Sequence, residues 1–520
     1  MGGTKMNFIN ESTVLNFYLK EIDKDAIEFL KNKLELKASI KENVIKLREV
    51  TSIHEKIETS KKLWKLLFEA AMSYIDPDMR GYDELFKYFD EYVVFEELIF
   101  ASDSFYRDHT IHCLWVYFLG EYLVKAEEFK EIFKNVYQEI NGHLEVVKAF
   151  EGTKFDEYAE EYIDVINKMN IIRYEEAMRC VAALTHDLGY PIKKINKINS
   201  CIGKMLPYFS IKNYDEFDFN YNPVQSGFIE EFIKFMTLEF TFSTENIDKT
   251  TSKKIDEVAL KVFKINEETN TISGVYQEEL DKLNSSELEL LQQLFTLKGT
   301  LRDNLTARLR YLNDFEEYQH GIMSAFLLVK TVKAFRNTNF RYRDNVNVNL
   351  SEIDMKSFVI KSQILTAISN HTSDGYQIKS IETISEVLTL VDELEEFSRI
   401  SRANLNRQFI REFCKSNIYY DNGVLNIDFV FDNESIDNLD PERAFKGRCK
   451  RFLTLFDIKN LSENLNIKLS CIGDLSYNKN TYTIEIKRKY ANITINGLEQ
   501  NIPKYLSSKQ FYTKEGYMSL

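Results

Sequence analysis

The sequence contains few of the residues that interrupt helices. Among its 520 residues there are only six prolines and 18 glycines. Proline removes a hydrogen bond from a helix interior and glycine weakens it, so their scarcity favours long helices. From residue 60 to residue 71, for example, Leu63, Leu66, Leu67 and Ala70 recur at helical spacing. We therefore expect the main body to be α-helical.

Cysteine is also scarce, and long apolar runs are absent. The six cysteines include no close pairs, which argues against a disulfide framework and a thiolate zinc site. The sequence has no segment of about 18 consecutive apolar residues and no charged-then-apolar leader. We therefore expect a cytoplasmic protein that does not associate with membranes.

Positive charge is in deficit across the chain. Lys and Arg total 67 against 81 Asp and Glu, which gives a net charge of −14. Proteins that clamp duplexes draw much of their affinity from Lys and Arg that neutralise phosphates. A stable nucleic-acid complex is therefore not expected, whereas a small anionic ligand needs only a local basic pocket.

The distribution of histidine and of hydrophobic periodicity divides the chain into three parts. Residues 1–105 form a helical region without recognisable chemistry, and 106–404 hold most of the seven histidines in a helical setting. Within this catalytic part, 113–185 and 192–319 are predicted to be helical insertions. Residues 405–520 change to a period of two, which predicts a smaller α+β domain.

Local turn signals support this C-terminal domain. Residues 418–431 contain two strand-like runs joined by Asp421-Asn422-Gly423, a good hairpin signal because Asn-Gly tolerates positive φ. A helix rich in Arg and Lys is predicted at 442–458, and further strands at 467–472 and 482–495. The domain contains no histidine, so we expect it to regulate or assemble the protein without supplying a metal ligand.

Two motifs place histidines beside other possible metal ligands. His109 and His112 are three residues apart and share one face of a helix. An apolar run delivers His186 and Asp187 just before Gly189 breaks the helix. Adjacent helical side chains diverge by about 100°, so this pair can bracket an ion above the helix end. Nitrogen and oxygen donors together suit Mn, Fe, Co, Ni, Zn or Mg.

Three further polar residues lie at the ends of predicted helices. His320 is near the start of one helix, and His371 is at the end of another. Asp392 follows Leu388 by one turn, so it is expected on the apolar face, where a carboxylate requires a cation. The acidic residues that follow it are expected on the solvated side: Glu393, Glu395 and Glu396.

The order of these residues resembles that of the HD-domain phosphohydrolases across about 106–400. The resemblance implies a helical HD-domain core in which four residues bind a divalent metal ion: His112, His186, Asp187 and Asp392. The first ligand could be His109 or His112, and Val116 favours His112 because an apolar residue usually stands at that position in the family. In the family the two later histidines, here His320 and His371, bind a second ion or contact phosphate.

The segment from His186 to Pro191 resembles the doublet of the deoxynucleotide triphosphohydrolase branch, although Tyr190 stands where that branch typically has histidine. The resemblance implies hydrolysis of deoxynucleoside triphosphates by homo-oligomers under nucleotide control, in some members for antiviral defence. Asp187 would bind the metal and orient the attacking water, while His320 and His371 would serve catalysis. The groups that flank the motifs are assigned to substrate binding: His109, Lys193 and Lys194.

Two other functions remain as alternatives. One is a phosphodiesterase that acts on a cyclic or linear nucleotide. The other is a nucleotide-sensing binding protein in which the HD site is vestigial, although the intact set of ligands weighs against it. The products formed from a panel of nucleotides distinguish these functions.

Overall fold

The helical character expected from the scarcity of proline and glycine is confirmed. A computed structural model describes residues 8–78, 81–100, 105–133, 171–211, 215, 223–244, 249–266, 271–293, 297–336, 352–401, 413–436 and 439–501. Within these residues helices dominate, and a smaller sheet-containing domain lies at the C-terminal end.

The N-terminal and central helices are α1 Glu11–Asp23, α2 Leu34–Glu49, α3 Ile53–Ile75, α4 Asp83–Phe100, α5 His109–Lys125, α6 Lys130–Phe133, α7 Glu175–Thr185, α8 Tyr190–Met205 and α9 Pro223–Thr237. The later helices are α10 Lys249–Val262, α11 Gln277–Lys282, α12 Ser285–Gln292, α13 Leu305–Glu316, α14 His320–Thr331, α15 Lys333–Arg336, α16 Glu352–Asn370, α17 Ile384–Leu394 and α18 Pro441–Leu455. Short 3-10 helices lie at Glu28–Leu30, Glu127–Phe129, Ile172–Tyr174 and Leu206–Phe209.

The strands are β1 Phe105–Arg107, β2 Leu238–Thr244, β3 Phe263–Asn266, β4 Thr271–Val275, β5 Leu297–Asp303, β6 Arg399–Ser401, β7 Lys415–Asp421, β8 Val424–Phe431, β9 Asn466–Gly473, β10 Thr481–Lys487, β11 Tyr490–Ile495 and β12 Leu498–Gln500. Three antiparallel pairs (β1 with β6, β2 with β5, β3 with β4) belong to the part between 105 and 401. Only helices were expected within 192–319, so the strands found there were not predicted from the sequence.

The centre of the helical part is formed by α5 and α7. Nearly every residue of α5 from His109 to Leu123 is buried, and α7 is buried from Ala177 to Thr185. A helix that is buried on all sides lies in the interior of a domain. Around these two helices pack α3, α16 and α17, and α16 also contacts α14.

The N-terminal helices anchor the end of α7. Trp64 of α3 stacks between Phe68 and Phe89, and its indole N–H donates to the Leu184 carbonyl oxygen at 2.7 Å. The hydroxyl of Tyr88 on α4 donates to the carbonyl oxygen of Leu188. The last carbonyl groups of a helix lack partners within it, so these bonds stabilise the end of α7.

The C-terminal domain confirms the predicted hairpin and helix. Strands β7 and β8 pair antiparallel, and the turn between them has positive φ at Asn422 (50°) and Gly423 (77°). Helix α18 connects β8 to the parallel strand β9, and the sheet order is β12-β11-β10-β9-β8-β7. Across the described part of the chain, no helix is both long and apolar enough to cross a membrane.

Candidate metal centre

Helix α5 carries His112 into the interior. Asp108 caps the helix, its side chain accepting a hydrogen bond from the N–H of Ile111 at 3.1 Å, as polar N-cap residues do. One turn later His112 is fully buried. This location confirms that His112 belongs to a buried helix, as its sequence context predicts.

The His-Asp doublet, His186 and Asp187, directly follows α7. The helix ends at Thr185, and Pro191 lies in the first turn of the next helix, so the doublet lies in the break between them, as predicted. The Nδ1–H of His186 donates to the carbonyl oxygen of Ala183 at 2.8 Å. Because Nδ1 is bonded to its own helix, Nε2 is the ring nitrogen that faces away from that helix.

His320 and His371 reach the same region from α14 and α16. His320 is the first residue of α14, and His371 directly follows α16. The Nδ1–H of His371 donates to the carbonyl oxygen of Ile368 at 2.6 Å, so its Nε2 is also left with a lone pair. Both predicted helix-end positions are confirmed.

Asp187 lies between two pairs of histidines. Its Oδ2 is 3.3 Å from Nε2 of His186 and 3.6 Å from Nε2 of His112. Its Oδ1 is 3.1 Å from Nε2 of His320 and 3.5 Å from Nε2 of His371. The carboxylate therefore faces one imidazole pair with each oxygen.

Asp392, in the last turn of α17, closes the cluster. Its Oδ1 lies 2.9 Å from Nε2 of His112 and 3.9 Å from Nε2 of His186. Three groups of residues each place one ligand atom apiece within 4.8 Å of one another. These groups are His112, His186 and Asp187; His186, His371 and Asp392; and Asp187, His320 and His371. The residues expected to bind a metal are thus brought together.

The protonation equilibria show that the cluster attracts positive charge. Burial would raise the pKa of Asp187, but the imidazole of His186 holds it well below its usual range. Burial by itself would raise the pKa of Asp392, but the contact with His112 and the charges of Arg107 and His186 together hold that pKa well below its usual range. Burial by itself would lower the pKa of His186, yet the Asp187 carboxylate raises it well above the ordinary value. Two buried carboxylates therefore stay ionised and draw cations toward them.

The pKa of His371 is shifted in the opposite direction to that of His186. Burial lowers the pKa of His371, and the Asp187 carboxylate nearby does not offset that effect. The neutral imidazole is the form that binds metal ions. The described residues supply no hydrogen-bond partner for Nε2 of either His186 or His371. Both nitrogens are deeply buried and aimed into the cluster, so the donor set fits a metal ion.

Glu395 orients His112, a role that the sequence did not suggest. Its Oε2 lies 2.5 Å from Nδ1 of His112, and Glu395 is fully buried. The N–H and the hydroxyl of Ser398 both donate to the same carboxylate. Hydrogen bonding of a ligand histidine through its second nitrogen fixes the ring and raises its basicity. The expected solvated position is therefore wrong for Glu395, and also for Glu396, which is 5% exposed.

Replacement of Glu395 by glutamine is expected to weaken metal binding without unfolding the protein. The amide keeps the size of the side chain but removes the negative charge that supports the His112 ligand. Loss of such a partner reduces metal affinity by about 10- to 100-fold, which calorimetric titration with Mn²⁺ measures. Glu463→Gln, at an exposed pair with Arg488, is the control; equal affinity in the two variants would contradict the assigned role.

Arg107 links the start of α5 to the end of α17. Its guanidinium lies 3.3 Å from Oδ1 of Asp392 and donates to the carbonyl oxygen of Glu395 at 2.9 Å. Its Nη2 lies 3.8 Å from Glu396. The positive charge of Arg107 is thus held against the acidic segment that carries Asp392, a contact with no signal in the local sequence.

His109 is buried beside the cluster and does not join it. Its Nδ1 and its backbone N–H both lie 3.0 Å from Oε2 of Glu96, and its ring packs on Tyr190 with centroids 3.9 Å apart. Glu96 outweighs the effect of burial and raises the pKa of His109. Of the two possible first ligands, the structure therefore brings His112 to the other ligands and pairs His109 with a carboxylate.

The two lysines assigned to substrate binding lie at the start of α8. The amine of Lys193 donates to Oε1 of Gln319 at 2.7 Å, next to His320. The amine of Lys194 lies over the ring of Tyr190, 4.5 Å from its centroid. Lys193 thus contacts the residue that precedes His320, and Lys194 packs on Tyr190, whose ring centroid is 5.8 Å from that of His320, so both lysines provide positive charge near His320.

Comparisons of the chain with known protein families, curated proteins and solved structures gave no match.

Proposed function

We propose that the chain is a metal-dependent phosphohydrolase with an HD-type centre, and that its substrates are nucleotides. The observation that best supports this proposal is the clustering of His112, His186, Asp187 and Asp392 in overlapping groups of possible metal ligands. These residues come from three different helices or their ends and follow the order that the resemblance implies. His320 and His371 complete the donor set.

The donors suit a divalent ion such as Mn, Fe, Co, Ni, Zn or Mg, because they combine imidazole nitrogen with carboxylate oxygen. One ion would be held by His112, His186, Asp187 and Asp392, while His320 and His371 offer a place for a second. A bound divalent ion lowers the pKa of water from about 15.7 towards 7 and polarises phosphoryl oxygens.

The protein groups around the ion have separate tasks in this proposal. Asp187 accepts a hydrogen bond from the attacking water and so sets its direction. His320 has a side chain that is 22% exposed, whereas those of His186 and His371 are fully buried. It is therefore the histidine that an incoming phosphate can reach, to hold a phosphoryl oxygen or to protonate the leaving oxygen.

The distribution of charge favours a small substrate. The chain carries a net charge of −14, and the positive groups beside the cluster are local, as Lys193 and Lys194 illustrate. A mononucleotide needs only a few such groups, whereas a polymer needs a long basic track. Together with the resemblance of the segment from His186 to Pro191 to the deoxynucleotide triphosphohydrolase branch, this leads us to propose deoxynucleoside triphosphates as the substrates, with a second nucleotide as an activator.

Hydrolysis of each deoxynucleotide separates this proposal from its alternatives. Water adds to the α-phosphorus, the bond to the 5′ oxygen breaks, and that oxygen takes a proton, so the products are triphosphate and deoxynucleoside. Purified protein would be incubated with each dNTP, each NTP and several cyclic nucleotides in Mn²⁺, Mg²⁺ or Co²⁺, singly and in pairs. Chromatography of the products is expected to show triphosphate and deoxynucleoside.

Other products would overturn the assignment. A linear nucleotide formed only from a cyclic substrate would replace the proposal with a phosphodiesterase. Tight nucleotide binding without turnover in any metal would indicate a sensor. Metal analysis of the same preparation, with chelator-treated protein as the control, establishes whether hydrolysis depends on the ion.

A further inference from the structure

Two arginines of the C-terminal domain contact the segments that carry metal-ligand residues. Arg451 on α18 pairs through Nε with Oε1 of Glu393 at 2.5 Å, and Glu393 directly follows Asp392. Its Nη2 donates to the backbone carbonyl oxygen of His371 at 3.0 Å. One guanidinium therefore joins the end of α17 to the end of α16.

Arg448, one turn earlier on α18, reaches the same segment from the sheet side. Its Nη2 lies 2.7 Å from Oε1 of Glu396, and its guanidinium packs over the ring of Phe429, 4.5 Å from the centroid. Glu396 also faces Arg107, which contacts Asp392. Arg448 is thus connected to Asp392 through three successive ion pairs: Arg448 with Glu396, Glu396 with Arg107, and Arg107 with Asp392.

The arginines lie beside a concentration of negative charge. The residues from 392 to 396 include four acidic side chains: Asp392, Glu393, Glu395 and Glu396. Like charges so close together repel one another in a poorly solvated site unless cations lie between them. Arg107 supplies one cation from the helical part, and α18 supplies the other two.

Three backbone hydrogen bonds fix α18 in position. The N–H of Ile378 donates to the carbonyl oxygen of Leu455 at 2.8 Å, and the N–H of Asp457 donates back to Ile378 at 3.0 Å. The N–H of Ser462 donates to the carbonyl oxygen of Lys379 at 2.7 Å. The loop after His371 is therefore hydrogen-bonded directly to the C-terminal domain.

We propose that the C-terminal domain completes the metal centre, with Arg448 and Arg451 as positioning residues for Asp392 and His371. The domain supplies no ligand, as its lack of histidine implies, yet it holds two of the ligand-bearing segments in place. This inference rests on the metal site of the proposed function. It replaces the expectation that the domain only regulates or assembles the protein, and it means that residues 1–404 by themselves bind metal poorly.

The test uses the full chain, stripped of metal by a chelator and titrated with Co²⁺ alone. Affinity is followed by calorimetry, and ligand geometry by the visible absorption of the bound ion. Arg451→Met is expected to weaken Co²⁺ binding by about 10-fold or more, as for other partners of ligand residues, and to alter the spectrum. Arg451→Lys keeps one positive contact and should restore part of the affinity.

Lys446→Met is the matched control. Lys446 lies on the same helix and pairs with Glu442, and its side chain is 71% exposed, so wild-type binding is expected. Melting temperatures of the metal-free variants measure any loss of stability. A merely structural role for Arg451 would lower the melting temperature but leave the Co²⁺ affinity and spectrum unchanged. Arg448→Met, at a more buried arginine, should show the same spectral change where it folds.

Two results would overturn the inference, and they are distinguishable. Wild-type affinity and an unchanged spectrum in Arg451→Met would show that α18 does not position the ligands, while the proposed function would stand. Failure of the wild-type chain to bind Co²⁺ would remove the metal site itself, and the proposed function with it.

Discussion

Replacement of Asp187 or His186 by alanine is expected to abolish both metal binding and phosphate hydrolysis. Asp187 faces the Nε2 atoms of four histidines, two with each carboxylate oxygen. Its loss therefore separates the two halves of the donor set. The effect should exceed the about 10- to 100-fold losses that accompany removal of partners outside the ligand shell.

The helical signal of these variants is expected to stay close to that of the wild type. Both positions lie in the turn between α7 and α8, outside either helix. Trp64 and Tyr88 hold the chain around this turn through the carbonyl oxygens of Leu184 and Leu188 rather than through the doublet. Circular dichroism, metal analysis and the nucleotide assay check the three expectations. His54→Ala, at an exposed position on α3, is the control.

Wild-type hydrolysis in either variant would contradict the proposal that the doublet binds a catalytic metal ion. Loss of hydrolysis with full retention of bound metal would instead place the doublet in substrate handling. Comparison of Asp187→Ala with Asp187→Asn separates the effect of the negative charge from that of the side-chain shape. Asparagine keeps the shape and one acceptor oxygen of aspartate but removes the charge.

Gly321→Ala is expected to destabilise the protein and to weaken its metal site. A Cβ atom at this position would lie 2.5 Å from the carbonyl oxygen of Ile368 and 2.7 Å from the hydroxyl oxygen of Thr372. Helices α14 and α16, which carry His320 and His371, would have to separate. Overpacking of this kind lowers the free energy of unfolding by about 1–3 kcal/mol.

The sign of this effect is opposite to that of intrinsic helix propensity. Alanine in a helix interior is favoured over glycine by about 1 kcal/mol, so a stability loss at Gly321 identifies the close approach as its cause. Gly447→Ala on α18 is the matched control, because no atom lies within 4 Å of its added Cβ, and it should stabilise the protein slightly. Urea unfolding measures both, and a Gly321→Ala variant as stable as Gly447→Ala would contradict the prediction.

The position of the His-Asp doublet at a helix end was predictable because its signals are local, whereas the full set of candidate metal ligands was predicted from its resemblance to the order found in the HD-domain phosphohydrolases. His186 and Asp187 are neighbours at the end of an apolar run that Gly189 and Pro191 interrupt, and the structure places the helix break there. The hairpin at Asn422 and Gly423 was predictable for the same reason, since positive φ is a property of the turn itself.

The position of Glu395 shows where helical periodicity stops being informative. Helix α17 ends at Leu394, and Glu395 has extended backbone angles, φ −74° and ψ 121°. A prediction from the helical wheel places it on the solvated side, but the chain has already left the helix. Its carboxylate instead meets His112, which is 283 residues away in the sequence.

The sequence by itself predicted the helical class and the C-terminal hairpin, because these depend on composition, turn chemistry and short-range spacing. It indicated the candidate metal ligands through the resemblance of their order to a known family. Only the tertiary structure decided that Asp187 lies between two histidine pairs, that Glu395 orients His112, and that Arg448 and Arg451 of the C-terminal domain reach the segments carrying Asp392 and His371. Those contacts join residues far apart along the chain, and buried charges find their partners only when helices pack and exclude water.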